Sequence, residues 1–328
     1  MIECIFTVDY EIYGNGEGSL KDLVYEPAER LSAIFRERNA PLVVFVEVAE
    51  MEMIGARGSD PSIDLVKHQI HQFYSEGFEL GLHLHPQWYK GRYEKGRWVL
   101  DYGEYNLCDL PRERISQIVD RAIDYYRNLV GEPDFAPFSF RAGNWLFQPA
   151  RNAAKVLADR GIRVDSSVFK GGLQHQHGLD YRRSLRNGEY WTFSDDVEVS
   201  DPNGELLELP IHTEMVPTLQ RKSPATHGNG RSSLSRLLDF LRLRFPLKLD
   251  FCRMTKEELR GMVDALMKED EGNPAFFRPV VAIGHTKDLV DFETVRSFLG
   301  YLEEKRIPVS TFKEVYDKCV ETLRRKNC

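Results

Sequence analysis

Residues 2–11 read Ile2-Glu3-Cys4-Ile5-Phe6-Thr7-Val8-Asp9-Tyr10-Glu11, an apolar run that stops on two carboxylates. A run this short, rich in β-branched and aromatic residues, fits a buried strand. In extended backbone Asp9 and Glu11 point to one face. Two carboxylates on one face repel each other unless a cation or a proton lies between them. Read alone, the pair also fits a loop start in which Asp9 caps a turn and Glu11 is solvated.

Working outward, apolar runs recur at 42–48, 78–84, 137–141, 162–164, 206–211, 247–251, 279–284 and 307–310. Helix-like patterns lie between or after them, at 27–38, 61–76, 110–130, 148–160, 233–244, 255–268, 290–304 and 312–325. The clearest is 110–130, where Ile115, Ile118, Val119, Ala122, Ile123 and Tyr126 fall on one helix face. Asp109 or a neighbour is the expected cap, and Gly131 followed by Pro133 ends the helix. Strands joined by crossover helices make a parallel sheet with right-handed connections, and seven or eight such units favour a barrel over an open sheet.

The 328 residues are 42% hydrophobic, 29% charged and 11% aromatic, which excludes collagen-like, disordered and disulfide-scaffold classes. No stretch reads as an interdomain linker, so residues 1–328 are expected to form one elaborated domain. A net charge of −7 supplies no global positive field for nucleic acid or an anionic membrane. The basic run Arg231, Arg236, Arg242 and Arg244 reads as a solvated helix face. The first strand follows Met1 with no basic n-region, apolar h-region or cleavage site, so a secretory leader is not expected, and no window has the roughly 18 apolar residues of a spanning helix. The five cysteines (Cys4, Cys108, Cys252, Cys319, Cys328) are widely spaced without a CxxC pair, which suits reduced thiols and a cytoplasmic location. Asn15, Gly16 and Gly18 match no phosphate-loop spacing, so nucleotide sites have little support.

Reactive residues of α/β barrels sit at the carboxyl ends of strands, and several runs here end in unusual polar groups. The third ends Gly81-Leu82-His83-Leu84-His85-Pro86, with His83 and His85 on one face. Paired histidines also occur as plain rim residues. With Asp9 and Glu11 on a nearby strand they form a plausible two-His, one-carboxylate site, which leaves positions open for water. Arg141-Ala142-Gly143 offers a planar cation that can fix a carboxylate. Asp165-Ser166-Ser167 and Ile283-Gly284-His285 follow; a lone His at the latter position is as often structural as catalytic. Trp88, Trp98 and Trp145 could stack on sugar rings or simply pack. His175 and His177 read as solvated, and His68, His71, His212 and His227 carry no pattern.

Taken in order, these five motifs resemble the polysaccharide deacetylase (NodB-homology) family across positions 7–287. The resemblance implies a distorted (β/α)7 barrel and a metal-dependent hydrolase, usually zinc-loaded, that removes N-acetyl groups from amino sugars. It implies Asp9 as general base, Arg141 as the residue orienting it, His285 as general acid and Asp165 in a supporting role. Glu11 and His83 match metal ligands. The family's second histidine falls at Gln87 here, and His85 is the nearby substitute. The implied partner is an N-acetylated saccharide or glycolipid precursor. Two other readings stay open: hydrolysis of a cyclic imide or other non-peptide C–N bond, and a non-catalytic carbohydrate-binding protein.

Overall fold

The structure is a computed structural model that describes residues 1–217 and 244–327. The helix expected at 233–244, three of the four arginines of the basic run, His227 and Cys328 lie outside the described residues; Arg244 opens a strand.

Eight strands form the main sheet: β1 (Ile2–Tyr10), β2 (Val43–Glu47), β3 (Glu79–Leu84), β4 (Ser139–Ala142), β5 (Val164–Asp165), β6 (Trp191–Phe193), β7 (Leu206–Glu208) and β8 (Arg278–His285). Their order is β6-β7-β5-β4-β3-β2-β1-β8. All pairs are parallel except β6 with β7. The helices are α1 (Glu26–Glu37), α2 (Val48–Arg57), α3 (Ile63–Ser75), α4 (Arg112–Val130), α5 (Arg151–Asp159), α6 (Lys256–Gly272), α7 (Phe292–Glu304) and α8 (Phe312–Asn327).

The sheet curls, and single bridges bring its two sides together. Ile211, just past β7, bridges Phe169 on one side and Val281 of β8 on the other. Asp250 bridges Ile283, with Phe251 N donating to Ile283 O at 3.0 Å. A distorted barrel results, as expected from the sequence. The run at 247–251 is no sheet strand: 244–248 pairs with 213–217 as a separate hairpin, and the chain then meets β8 through the Asp250 bridge.

Alternation along the strands separates two cores. Ile5, Val43, Phe45, Val164, Leu207, Leu209 and Val281 fill the barrel interior, and Phe312, Val315 and Cys319 of α8 join them. A second, larger core lies largely between strands and helices. The apolar face foreseen on α4 is buried throughout. Its C-cap is Gly131 at φ 75, a left-handed cap that glycine adopts without strain. The N-cap falls on a neighbour of Asp109, Pro111, which makes no side-chain capping hydrogen bond. Cys4, Cys108, Cys252 and Cys319 are free and buried. Among the described residues no helix is long and apolar enough to cross a membrane.

Candidate active site

The carboxyl ends of β1, β3, β4 and β8 converge because their registers align: Asp9 lies opposite His285 and Phe45, and His83 lies opposite Glu47 and Arg141. Side chains two apart share a face, so Asp9 and Glu11, His83 and His85, Arg141, and His285 all enter the same end of the barrel.

One group of side chains suits a cation. Glu11 Oε2 lies 3.0 Å from His85 Nε2 and 3.5 Å from His83 Nε2, and one ligand atom from each residue lies within 4.8 Å of the others. His83 Nδ1 donates to the Arg141 carbonyl at 2.8 Å, which turns Nε2 toward Glu11. That buried Nε2 has no hydrogen-bond partner. His85 Nδ1 is flanked by the Gln87 and Asn144 amides at 3.2 and 3.3 Å. The position where the resemblance expected a ligand thus carries a residue that supports one. Glu11 Oε1 is held by Lys287 Nζ at 2.8 Å. Burial alone would raise the Glu11 pKa, but Lys287 and the histidines hold it well below the ordinary value. Burial opposes charge on His83 too, yet Glu11 and Asp9 lift its pKa to about 9. A divalent cation fits these three donors: one carboxylate and two imidazoles, one of which has an orphaned buried nitrogen.

Beside this group, Arg141 Nη1 lies 2.6 Å from Asp9 Oδ1. The guanidinium also bonds Thr7 Oγ1 and the Ser166 carbonyl, both at 2.9 Å, and stacks on Phe45. Burial would raise the Asp9 pKa; Arg141, His83 and His285 outweigh it and lower the pKa below the ordinary value. The other Asp9 oxygen faces His285 Nε2 at 3.3 Å. Burial pushes His285 down to about 4 despite the pull of Asp9, so the resting ring is neutral.

Asp165 stands apart. It is one residue out of phase with Val164 and Ser166, and its carboxylate is bonded by Ser167 Oγ at 2.7 Å. It lies opposite Glu208 across β5 and β7. Trp88 and Trp98 pack edge-to-face, 5.0 Å between centroids, and are 0% and 9% exposed. Neither presents a free face for sugar stacking, which corrects that reading. Trp145 is partly buried and meets the His285 ring edge-to-face at 5.7 Å. Asn144 and Trp145 sit at φ 55 and 58, a left-handed pair without glycine that marks local strain beside the site. His175 is exposed and His177 stacks on Tyr105. A cavity of about 560 Å³ around His212, Lys170 and Arg278 contains none of the site residues.

Three participants escaped the sequence reading. Glu47 interrupts an apolar run, Lys287 lies two residues after His285, and Asp288 Oδ2 lies 3.7 Å from His285 Nδ1 while pairing with Arg253 at 2.6 Å. A lone carboxylate inside β2 was the available signal for Glu47.

No protein-family model and no curated protein matches the sequence. Solved structures do match the fold. One described as a polysaccharide deacetylase from Mycobacterium smegmatis has TM-score 0.55 at 16% identity, covering 99% of this chain and 91% of its own. A second so described, from Pseudomonas aeruginosa PAO1, has TM-score 0.53 at 13% identity, covering 99% and 91%. Puue allantoinase has TM-score 0.54 at 11% identity, covering 96% and 88%. The barrel is therefore the one found in polysaccharide deacetylases, and identities this low carry the fold alone.

Proposed function

We propose that this chain is a metal-dependent hydrolase removing N-acetyl groups from an amino-sugar-containing carbohydrate or glycolipid precursor. The observation carrying this reading is the convergence of Glu11, His83 and His85 beside the buried Asp9–Arg141 pair and His285. Glu11, His83 and His85 would hold a divalent cation, zinc by family resemblance, which supplies Lewis-acid polarisation of an acyl oxygen and acidifies water.

The protein's own groups do the rest. Arg141 fixes Asp9 through Oδ1 and keeps it ionised, leaving Oδ2 free to accept a proton from the attacking water. Asp9 Oδ2 is in contact with His285 Nε2, so the neutral imidazole receives that proton and delivers it to the departing amine. Trp145 braces the imidazole from the side.

A second reading is hydrolysis of a cyclic imide or amide on the same barrel. The resemblance in fold to an allantoinase and the H-x-H arrangement favour keeping it. Metal-loaded protein is to be assayed against N-acetylated amino-sugar oligomers and cyclic imides, because only deacetylation releases acetate. Acetate release that Asp9→Asn abolishes supports the first reading; turnover of imides alone selects the second.

A further inference from the structure

We propose that Lys248, seated over Trp145 beside His285, is a subsite for an anionic group of the substrate, a uronate carboxylate or a phosphate. This rests on the deacetylase reading for its substrate and deepens it.

Placement comes first. Asp250 pairs with Ile283 across the barrel seam. Two-residue alternation therefore puts Lys248 and Asp250 on the face shared by Ile283 and His285. Lys248 Nζ lies 3.2 Å from the Trp145 ring centroid and 5.0 Å from that of Phe169. Trp145 in turn meets the His285 ring, so the ammonium is one ring away from the expected general acid.

Charge pairing sets Lys248 apart from the other cations around it. Arg141 is paired with Asp9, Lys287 with Glu11 and Arg253 with Asp288. Among the described residues the Lys248 ammonium makes no ion pair and no hydrogen bond, only ring contacts. An ammonium has three N–H donors and no acceptor. The rings stabilise its charge from one side and leave those donors without oxygen partners. Burial drives its pKa down to about 7, with Asp250 the main opposing influence. A substrate carboxylate or phosphate would supply both the acceptors and a countercharge in direct contact with the ammonium, which Asp250 does not. A neutral sugar hydroxyl would supply only the first.

The test uses the full chain, wild type beside Lys248→Met, which keeps the alkyl stem on Trp145, and Lys248→Arg, which keeps the charge. Calorimetric affinities are measured for N-acetylhexosamine oligomers with a neighbouring uronate, for their uncharged counterparts, and for nucleotide-linked N-acetylhexosamine. Expected is a preference of about tenfold or more for one anionic class over the uncharged oligomer, since charge-assisted bonds are about twice as strong as neutral ones. Lys248→Met should abolish it without weakening the uncharged ligand, and Lys248→Arg should keep most of it. The uronate and nucleotide arms tell carboxylate from phosphate. No preference in the wild type, or one that survives in Lys248→Met, overturns the subsite. Acetate release is scored separately. A Lys248-dependent preference without acetate release sinks the deacetylase reading and leaves the subsite, whereas acetate release with equal affinities sinks the subsite alone.

Discussion

Glu47 Oε1 accepts the main-chain N–H of His85 at 2.8 Å, just where β2 has no backbone left to offer it. The ladder between β2 and β3 ends with Glu47 opposite His83, and the chain then turns into α2. The same carboxylate caps that helix by accepting the Glu50 N–H. His85 can therefore remain extended, at φ −110 and ψ 92, and bring its ring beside His83. This is how two histidines only two residues apart serve one site. Glu47→Leu should weaken metal binding on the order of 10- to 100-fold, as loss of ligand support commonly does, with both histidines intact. A competitive metal titration measures it, and unchanged affinity would remove Glu47 from the account.

Gly143 makes room for the same ring. A Cβ there would lie 2.7 Å from His85 Nδ1 and 2.6 Å from the Leu84 carbonyl. Gly143→Ala should displace His85, lower metal affinity at least tenfold and cost about 1–3 kcal/mol of stability as overpacking does. Metal titration and chemical denaturation check the two effects, and wild-type values in both would contradict the packing argument.

Asp9→Asn and His285→Ala should keep the metal while kcat falls on the order of 10²–10⁴-fold, the usual worth of an acid–base group. Asp9→Asn should also lower the melting temperature, because Arg141 loses its buried countercharge. Asp165→Asn is the contrast: its carboxylate serves Ser167 on the other side of the strand, so kcat should stay within about fivefold of wild type, well short of an acid–base loss. Steady-state kinetics with metal analysis on the three variants decide this.

Away from the site, burial, helped by Arg278 and Lys170, pushes the His212 pKa from 6.5 to about 4. The unfolded chain then binds the proton near pH 6.5 and the folded chain only near pH 4. Between these values unfolding takes up a proton, so this contribution is fully present above pH 6.5 and is lost as pH falls toward 4. Denaturant titrations of wild type and His212→Gln across pH 7.5–4 should show a steeper fall in the wild type. Parallel curves would refute the burial effect.

Much of the fold could be read in advance because strand ends carry charge where apolar runs should end in loops. Asp9, Glu11, His83, His85, Arg141 and His285 all announced themselves that way, and the structure brings them together. Helix α4 was legible because its face repeats at 3.6 residues. Helix α2 was not, since the apolar run of β2 continues into it through Val48, Ala49 and Met51, which are all buried. The seam at Ile211 and Asp250 consists of single bridges, too short for any periodic signal. Asp165 misled because a residue's phase on a two-residue strand cannot be counted from sequence. Trp88 and Trp98 misled because a mouth-lining ring and a packed ring look alike. The subsite proposed at Lys248 depends on ring contacts with Trp145 and Phe169, distant in sequence, which no local pattern encodes.

The most direct test of the central claim is elemental analysis of the purified protein, wild type beside His83→Ala and Glu11→Ala. The account predicts about one divalent metal per chain in the wild type and its loss in both variants with the fold retained by circular dichroism. Metal retained in either variant, or none in the wild type under any loading condition, would contradict it.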